Sequence, residues 1–169
     1  MWRLKKLNYP RLVFLLTTTM TPIRQLTESD YEDAMGIFLE SFDLTEHPTS
    51  DFDDSWDSRS HKNSYGLFLP NGGMAGFVLC TFHVKTGPNL YIDYIAVDKS
   101  LRGQGHGSRL LEYLIEMSRA AHRGIHLFPD SFALVDWYKK FGFYETLDRD
   151  PLPGKPPFYL NLSPYPRRR

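Results

Sequence analysis

The sequence predicts one α/β domain built on a mixed β-sheet, and three observations support this prediction. The dense apolar run from Leu90 to Val97 indicates a buried strand. A glycine-rich loop follows it and leads, from Ser108 onward, into apolar residues at helical spacing. Around this unit, short strand-like segments alternate with amphipathic helical ones, which is typical of α/β proteins. The 169 residues, 41% of them hydrophobic, suffice for one buried core and are too few for two.

The other elements follow from local signals along the chain. Ser29 and Glu32 form a capping box before an amphipathic helix that extends to Phe42. A turn at 70–73 between two apolar segments indicates a hairpin, and a proline-rich loop spans 150–157. We predict six to seven strands and about four helices: strands at 21–26, 64–69, 74–84, 89–97, 124–128, from 143 onward, and at 158–162, and helices at 29–42, within the acidic stretch that ends near 62, from 108 to about 121, and around 138.

Residues 20–162 form the predicted domain, and two flanking segments lie outside it. Residues 1–19 contain Arg3, Lys5, Lys6 and Arg11 but no acid. Such a leader fits an organelle-targeting peptide. The alternative interpretation is that Met20 is the true start of the protein. The second interpretation is favoured because a strand pattern begins directly after Met20. The basic segment 163–169 is predicted to be a frayed tail.

The composition excludes several classes of function. The formal net charge is zero, which argues against a nucleic-acid-binding protein. Cys80 is the single cysteine of the sequence, so it excludes an intramolecular disulfide and a cysteine-rich metal site, and we predict no metal. No apolar stretch is long enough to cross a bilayer, so we expect a cytoplasmic protein without a membrane partner.

The glycine-rich loop has the features of a phosphate-binding loop. Gly103, Gly105 and Gly107 can adopt positive φ and let a ligand approach the backbone. The N–H groups at the start of the following helix lack intrahelical partners and favour an anion. The loop is not the mononucleotide motif GxxxxGK[ST], because no lysine follows Gly105 or Gly107, and the dinucleotide motif GxGxxG fails at Ser108.

Two motifs together resemble the GNAT acetyltransferase superfamily. Arg102, Gly105 and Gly107 form the pattern R-x-x-G-x-G five residues after Val97, as in the family's acetyl-CoA loop. Further along, the segment 133–143 resembles the family's second signature, a helix that carries a tyrosine, here Tyr138, before a Gly-Phe pair. The resemblance covers about residues 20–162. It implies the GNAT fold, with strands 89–97 and 124–128 splayed apart, and acetyl-CoA as cosubstrate.

The resemblance also assigns residues to acetyl-CoA. The backbone of the central strand is expected to pair with the pantetheine arm, and the amides of the loop are expected to hold the pyrophosphate. Ser131 falls where many relatives have an asparagine that contacts the pantetheine. The expected acetyl-CoA-binding residues are Ile95, Ala96, Val97, Arg102, Gly103, Gln104, Gly105, His106, Gly107, Ser108 and Ser131.

Two residues are candidates for acid–base catalysis. Tyr138 matches the family's general acid, which protonates the departing thiolate, although its place beside other aromatic residues also fits simple core packing. Asp93 alternates with Ile95 and Val97 on the central strand, where relatives often place a base, and Tyr91 is expected to share that face and to bind the acceptor substrate. A buried carboxylate there can act as the general base or as a structural hydrogen-bond acceptor.

The acceptor is expected to be a cation. Between residues 27 and 57 the sequence has eleven acidic residues and no lysine or arginine. In relatives this region covers the acceptor, so Asp51, Asp53, Asp54, Asp57 and Trp56 are predicted to contact an alkyl ammonium by charge and cation–π attraction. A solvated acidic surface is the alternative.

The predicted function is N-acetylation of a small cationic amine, such as a polyamine, by a monomer or homodimer. A peptide or protein with a lysine or N-terminal amine is the second choice of acceptor. A protein of another class, a non-catalytic acyl-CoA sensor, would be expected to lack the tyrosine.

Overall fold

The computed structural model describes residues 22–82, 89–145 and 159–164 and has an α/β fold. Within these residues the strands are β1 (Ile23–Gln25), β2 (Tyr65–Phe68), β3 (Met74–Phe82), β4 (Leu90–Val97), β5 (Ile125–Leu127), β6 (Tyr144–Glu145) and β7 (Leu160–Leu162), and the helices are α1 (Tyr31–Ser41), α2 (Thr49–Asp57), α3 (His106–Ala120) and α4 (Phe132–Lys139). The predicted fold class is therefore confirmed. The predicted extension 1–19, loop 150–157 and last tail residues 165–169 lie outside the described residues.

Two helix starts differ from those expected. The capping region at Thr27 and Asp30 opens a 3-10 turn, Glu28–Asp30, and α1 begins only at Tyr31. The helix after the glycine-rich loop begins at His106, two residues earlier than predicted, because Gly105 caps it in a left-handed conformation with φ of 82°. This places the glycine directly at the helix N-terminus, where the unpaired N–H groups are.

The sheet has the strand order β1-β2-β3-β4-β5-β7-β6. Neighbouring strands are antiparallel except for β4 and β5, which are parallel. Apolar residues pack on both faces. One core cluster lies against α3 and α4, and the other lies against α1 and α2. Because β4 is central to the sheet, its side chains contribute to both clusters, and its carboxyl end lies between the helices of the two faces.

The central pair of strands opens toward one end of the sheet. Residues 90–92 of β4 pair with residues 125–127 of β5, and within the described residues the pairing stops there. Pro129 follows β5 by two residues and has no N–H to donate, so the ladder cannot continue through it. Residues 93–97 of β4 are thus left with an open edge, which is the predicted splay.

A β-bulge at Asp93 reverses which face of the sheet the following side chains of β4 point to. The pairing of β4 with β3 shifts by one residue between Leu79–Tyr94 and Cys80–Ile92, so Asp93 is the extra residue. After the bulge, Ile95 packs with the cluster against α3, whereas Tyr94 packs with the cluster against α1 and α2. The prediction that Asp93 shares a face with Ile95 and Val97 is therefore wrong, because strict alternation does not pass through a bulge.

The carboxylate of Asp30 is expected to stabilise the start of α1. It accepts hydrogen bonds from both terminal nitrogens of Arg24, at 2.7 and 2.8 Å, and from the Thr27 N–H and hydroxyl, at 2.7 and 2.8 Å. Asp30→Ala should lower the free energy of unfolding by about 2 kcal/mol in urea denaturation. A substitution that costs nothing would contradict this role.

The same carboxylate gives a pH test. The Arg24 guanidinium, with the Thr27 donors, lowers the pKa of Asp30 to about 2 from an ordinary value of 3.8. The stabilisation that this carboxylate provides is complete above the pKa of 3.8 that it has in the unfolded chain. It is lost as the pH falls from about 4 to about 2. The stability difference between wild type and Asp30→Ala should shrink over that range.

Candidate active site

A cleft of about 700 Å³ lies where β4 and β5 separate. Elements from both faces of the sheet contribute to it. Its lining consists of Ser41, Phe42 and His47 from the end of α1 and the following loop, residues 92–97 of β4, Arg102, Gly103 and Gly107 of the glycine-rich loop, residues 127–130 at and after the end of β5, and Ala133, Leu134, Trp137 and Tyr138 of α4. The predicted residues Asp93, Tyr138, Ile95, Ala96 and Val97 therefore meet in one cleft.

A second cavity of about 380 Å³ lies against the glycine-rich loop. It shares five lining residues with the cleft, Val97, Arg102, Gly103, Gly107 and Trp137. Gly103 and Gly105 have φ of 76° and 82°, and a Cβ built on either would meet no described atom within 4 Å. The space beside these glycines is thus open and faces the start of α3. Of the residues expected to hold acetyl-CoA, only Gln104 and Ser131 line neither cavity.

The open edge of β4 carries backbone groups that suit an extended ligand. The N–H of Asp98 donates to the Ala75 carbonyl on the β3 side. Since backbone groups of successive residues point to alternate edges, those of Ile95 and Val97 point into the gap. There the Val97 carbonyl accepts from Arg102 Nε at 3.0 Å, and Arg102 Nη2 also donates to Ser41 Oγ at 2.8 Å. This edge and the open loop together fit a chain with amides that ends in phosphates.

Tyr138, the predicted proton donor, is a buried phenol that lines the cleft. Its side chain is 4% exposed and its ring packs against Trp137 and Phe143, with centroid distances of 4.8 and 5.4 Å. Burial, with a smaller contribution from Asp130, raises the pKa of Tyr138 above its usual value of 10. The phenol is therefore protonated at neutral pH, and it both packs in the core and lines the cleft.

Asp93 has the properties of a base. Burial raises the pKa of its carboxyl to about 6, although the hydroxyls of Thr81 and Ser55 and nearby amides oppose the rise. Its Oδ2 is buried and has no hydrogen-bond partner among the described residues. The bulge aims this carboxylate toward α2 and beside Tyr94, whose pKa is raised to about 12 mainly by burial. Tyr91 does not line the cleft, but Asp93 contributes to raising its pKa.

The predicted acceptor residues on α2 are not all exposed. Trp56 is 2% exposed, with the Arg59 guanidinium 4.1 Å from its ring centroid, and its Nε1 donates to Glu28. The prediction that Trp56 contacts the acceptor is therefore wrong, because the hydrophobic face of α2 turns it into the core. Asp53 accepts a hydrogen bond from the Tyr31 hydroxyl at 2.6 Å.

The other three acids of α2, Asp51, Asp54 and Asp57, are exposed. None of the four aspartates of α2 lines the cleft formed by the described residues. The charge of Asp51 contributes to the raised pKa of Tyr94, which lines the cleft.

Asp130 and His47 are cleft residues that the sequence analysis missed. Asp130 lies in the turn between β5 and α4, and its Oδ1 is 3.7 Å from His47 Nε2. Burial raises the pKa of Asp130, while His47 opposes the rise. A polar residue at the carboxyl end of the strand beside the splay is a signal that could have found Asp130. His47 carries no such signal, because a long-range contact brings it to the cleft.

The described residues contain neither a group arranged to bind a metal nor a membrane-spanning helix. Among residues 22–82, 89–145 and 159–164, no group of three histidine, cysteine or acidic side chains is arranged to hold a metal ion. In the same part of the chain, no helix has the length and apolar character of a membrane span.

Comparisons with known proteins agree with the fold. The family model described as the acetyltransferase (GNAT) family matches residues 23–143. The structure is similar to the GNAT family N-acetyltransferase YhbS from Escherichia coli in complex with CoA, with 18% identity, a TM-score of 0.69, and coverage of 85% of this chain and 81% of that one. It is also similar to the ribosomal-protein-S18-alanine N-acetyltransferase from Escherichia coli, with 22% identity, a TM-score of 0.61, and coverage of 83% and 90%. A GNAT-family acetyltransferase from Staphylococcus aureus has 16% identity, a TM-score of 0.64, and coverage of 85% and 99%. A search of curated proteins found no match.

Proposed function

The chain belongs to the GNAT acetyltransferase family of acetyl-CoA-dependent N-acetyltransferases, and on this basis we propose that it transfers the acetyl group directly to a primary amine of a small cationic acceptor. One observation carries the proposal. The buried phenol of Tyr138 and the partly buried carboxyl of Asp93 line a single cleft at the open edge of β4. A proton donor and a proton acceptor at one site are what acyl transfer from a thioester to an amine requires.

The donor substrate supplies an activated acetyl thioester, and the chain's residues bind and orient it. The loop glycines and the N-terminus of α3 would hold the pyrophosphate, and Ile95 and Val97 would pair with the pantetheine amides. A backbone N–H of this edge would then donate to the thioester carbonyl. Such a donor contributes most when negative charge develops on the oxygen in the transition state.

Asp93 and Tyr138 have different roles in proton transfer, Asp93 as the base for the amine and Tyr138 as the acid for the sulfur. An alkyl ammonium has a pKa near 10.4, so the acceptor nitrogen must lose a proton before or during attack. Asp93 takes it, because a carboxyl with a pKa of about 6 is mostly ionised at pH 7. When the C–S bond breaks, Tyr138 gives a proton to the sulfur, and the second proton that the nitrogen loses on becoming an amide restores the phenol. One proton leaves for the solvent in each turnover.

The charges of the cleft support a cationic acceptor. Asp93 and Asp130 line it, and the one arginine or lysine among its described lining residues is Arg102, at the phosphate end. A polyamine or a similar small amine fits this environment, and a lysine-bearing peptide or a protein N-terminus is the second choice. A non-catalytic acyl-CoA sensor has no need for a buried phenol beside the open strand edge. Monomer and homodimer both remain compatible with the proposal.

A panel of acceptors tests the proposed function. CoA release should be measured with polyamines, monoamines, lysine peptides and aminoglycosides at fixed acetyl-CoA. We expect turnover with small cationic amines and much less with neutral or acidic ones. If the protein binds acetyl-CoA but releases no CoA above background with any acceptor, the sensor explanation replaces the enzyme.

Asp93→Asn should remove the fall of kcat/KM that the wild type shows as the pH drops through about 6. In the wild type, kcat/KM should fall as the pH drops through about 6, the pKa of Asp93, because the base becomes protonated. At pH 5 about a tenth of the Asp93 carboxyl groups are ionised, so the wild type should retain about a tenth of the increase in kcat/KM that this base provides. The ratio of wild-type to variant kcat/KM cancels the titration of the amine itself. A ratio that is constant between pH 5 and pH 8 would make Asp93 a structural acceptor.

A further inference from the structure

Asp130 differs from Asp93 although both line the same cleft. The side chain of Asp130 is 42% exposed, whereas Asp93 Oδ2 has no exposed surface and no partner among the described residues. Asp130 also lies close enough to influence the phenols of Tyr91, Tyr94 and Tyr138 by its charge. It is therefore a carboxylate at the mouth of the cleft, within electrostatic reach of the reacting groups.

A group that can carry positive charge already contacts Asp130. His47, from the loop between α1 and α2, approaches it from the opposite wall at 3.7 Å. The His47 ring meets Phe42 and Tyr94 edge-on, with centroid distances of 5.4 and 6.1 Å. Phe42 and Tyr94 in turn contact each other at 5.2 Å. A carboxylate and two aromatic rings around one position form a site that favours a cation.

The chemistry of the reaction assigns different tasks to the two carboxylates. The attacking nitrogen must be neutral, so a carboxylate that keeps it as an ammonium ion stabilises the ground state and slows the reaction. Asp93 has a buried Oδ2 without a hydrogen-bond partner among the described residues, which suits a base that removes the proton. Asp130 is accessible and contacts a potential cation, which suits a group that holds a charge throughout the reaction.

We propose that Asp130 is a specificity-determining residue that binds a second, non-reacting cation of the acceptor, which takes the place of the His47 imidazole beside Phe42 and Tyr94. The inference rests on the proposed function and narrows it. The favoured acceptors are then linear diamines and their longer homologues rather than amines with a single charge. The second ammonium remains protonated at neutral pH, since its pKa is near 10.4.

The test compares diaminoalkanes with monoaminoalkanes of the same carbon number. In the wild type at low salt, kcat/KM for the best diamine should exceed that for its monoamine partner by about tenfold. In Asp130→Asn this ratio should fall to near one. Asp130→Glu, which keeps the charge, should preserve the preference. Asp136→Asn serves as the matched control, because Asp136 is an exposed acid on α4 that does not line the cleft.

The possible outcomes distinguish a failure of the second-cation site from a failure of the proposed acetyltransferase function. Equal use of diamines and monoamines by the wild type, or an unchanged ratio in Asp130→Asn, overturns the second-cation site while leaving the amine acetyltransferase intact. A ratio that falls equally in Asp136→Asn also overturns it, because the effect is then one of general surface charge. If no amine is acetylated although acetyl-CoA binds, the proposed function fails, and the role of Asp130 fails with it.

Discussion

Replacing Gly105 by aspartate is expected to weaken acetyl-CoA binding by about a hundredfold or more, since placing like charges together costs several kcal/mol. Gly105 has φ of 82° and caps α3, and the space where its side chain would lie is open. The variant therefore has room for a carboxylate, but that carboxylate would lie where the loop is expected to hold the pyrophosphate. Calorimetry with acetyl-CoA measures the loss.

Gly72→Asp provides a control for backbone strain. Gly72 has φ of 89°, lies in the turn between β2 and β3, and also has no described atom near the position of a Cβ. Both substitutions force a side chain onto a left-handed residue, at a cost of about 1 kcal/mol each. Only Gly105→Asp should lose affinity for acetyl-CoA. If both variants fold and bind acetyl-CoA as well as the wild type, the glycine-rich loop is not the pyrophosphate site.

The features that the sequence predicted correctly depend on neighbouring residues. A buried strand, a glycine-rich loop and an amphipathic helix follow one another between Leu90 and Ala120, so apolar periodicity and glycine spacing reveal the whole unit. The short helix α2 and the hairpin of β2 and β3 also follow from local signals. The placement of Tyr138 in the cleft was predictable because a second local motif carries it.

The features that were missed depend on contacts between distant residues. Trp56 is buried because its indole packs in the core cluster against Phe52 and against Tyr31 of a different helix, α1. The bulge at Asp93 arises from the register with β3, and the sequence of β4 alone does not contain that information. His47 reaches Asp130 across the cleft only when the two faces of the sheet assemble.

The corrected positions alter the electrostatic explanation of the cleft. The sequence placed the acceptor's negative partners on the outer face of α2, where water and salt weaken attraction to a ligand. The structure leaves those acids outside the cleft and brings Asp130 to it beside the predicted Asp93, among phenols whose pKa values are raised mainly by burial. A cation that enters is therefore attracted in a less polar environment, where each charge acts more strongly.

Tyr138→Phe should lower kcat by roughly tenfold to a thousandfold, the range for loss of a general acid. The substitution removes one hydroxyl, and the ring contacts with Trp137 and Phe143 can remain, so folding and acetyl-CoA affinity should change little. Steady-state kinetics with the best amine, together with calorimetry, separate the two effects. Tyr113→Phe is the control, since Tyr113 lies on α3 and packs against Tyr65 outside the cleft.

The buried position of Tyr138 explains why the expected effect is on kcat. Its phenol, with a pKa raised by burial, keeps its proton in the free enzyme. Negative charge develops on the leaving sulfur only after the C–S bond begins to break, and the hydroxyl then donates to the sulfur at close range. The hydroxyl therefore stabilises the transition state and contributes little to ground-state binding. If Tyr138→Phe and Tyr113→Phe have the same kcat as the wild type while bond breaking limits the rate, Tyr138 is a packing residue and the sulfur takes its proton from water.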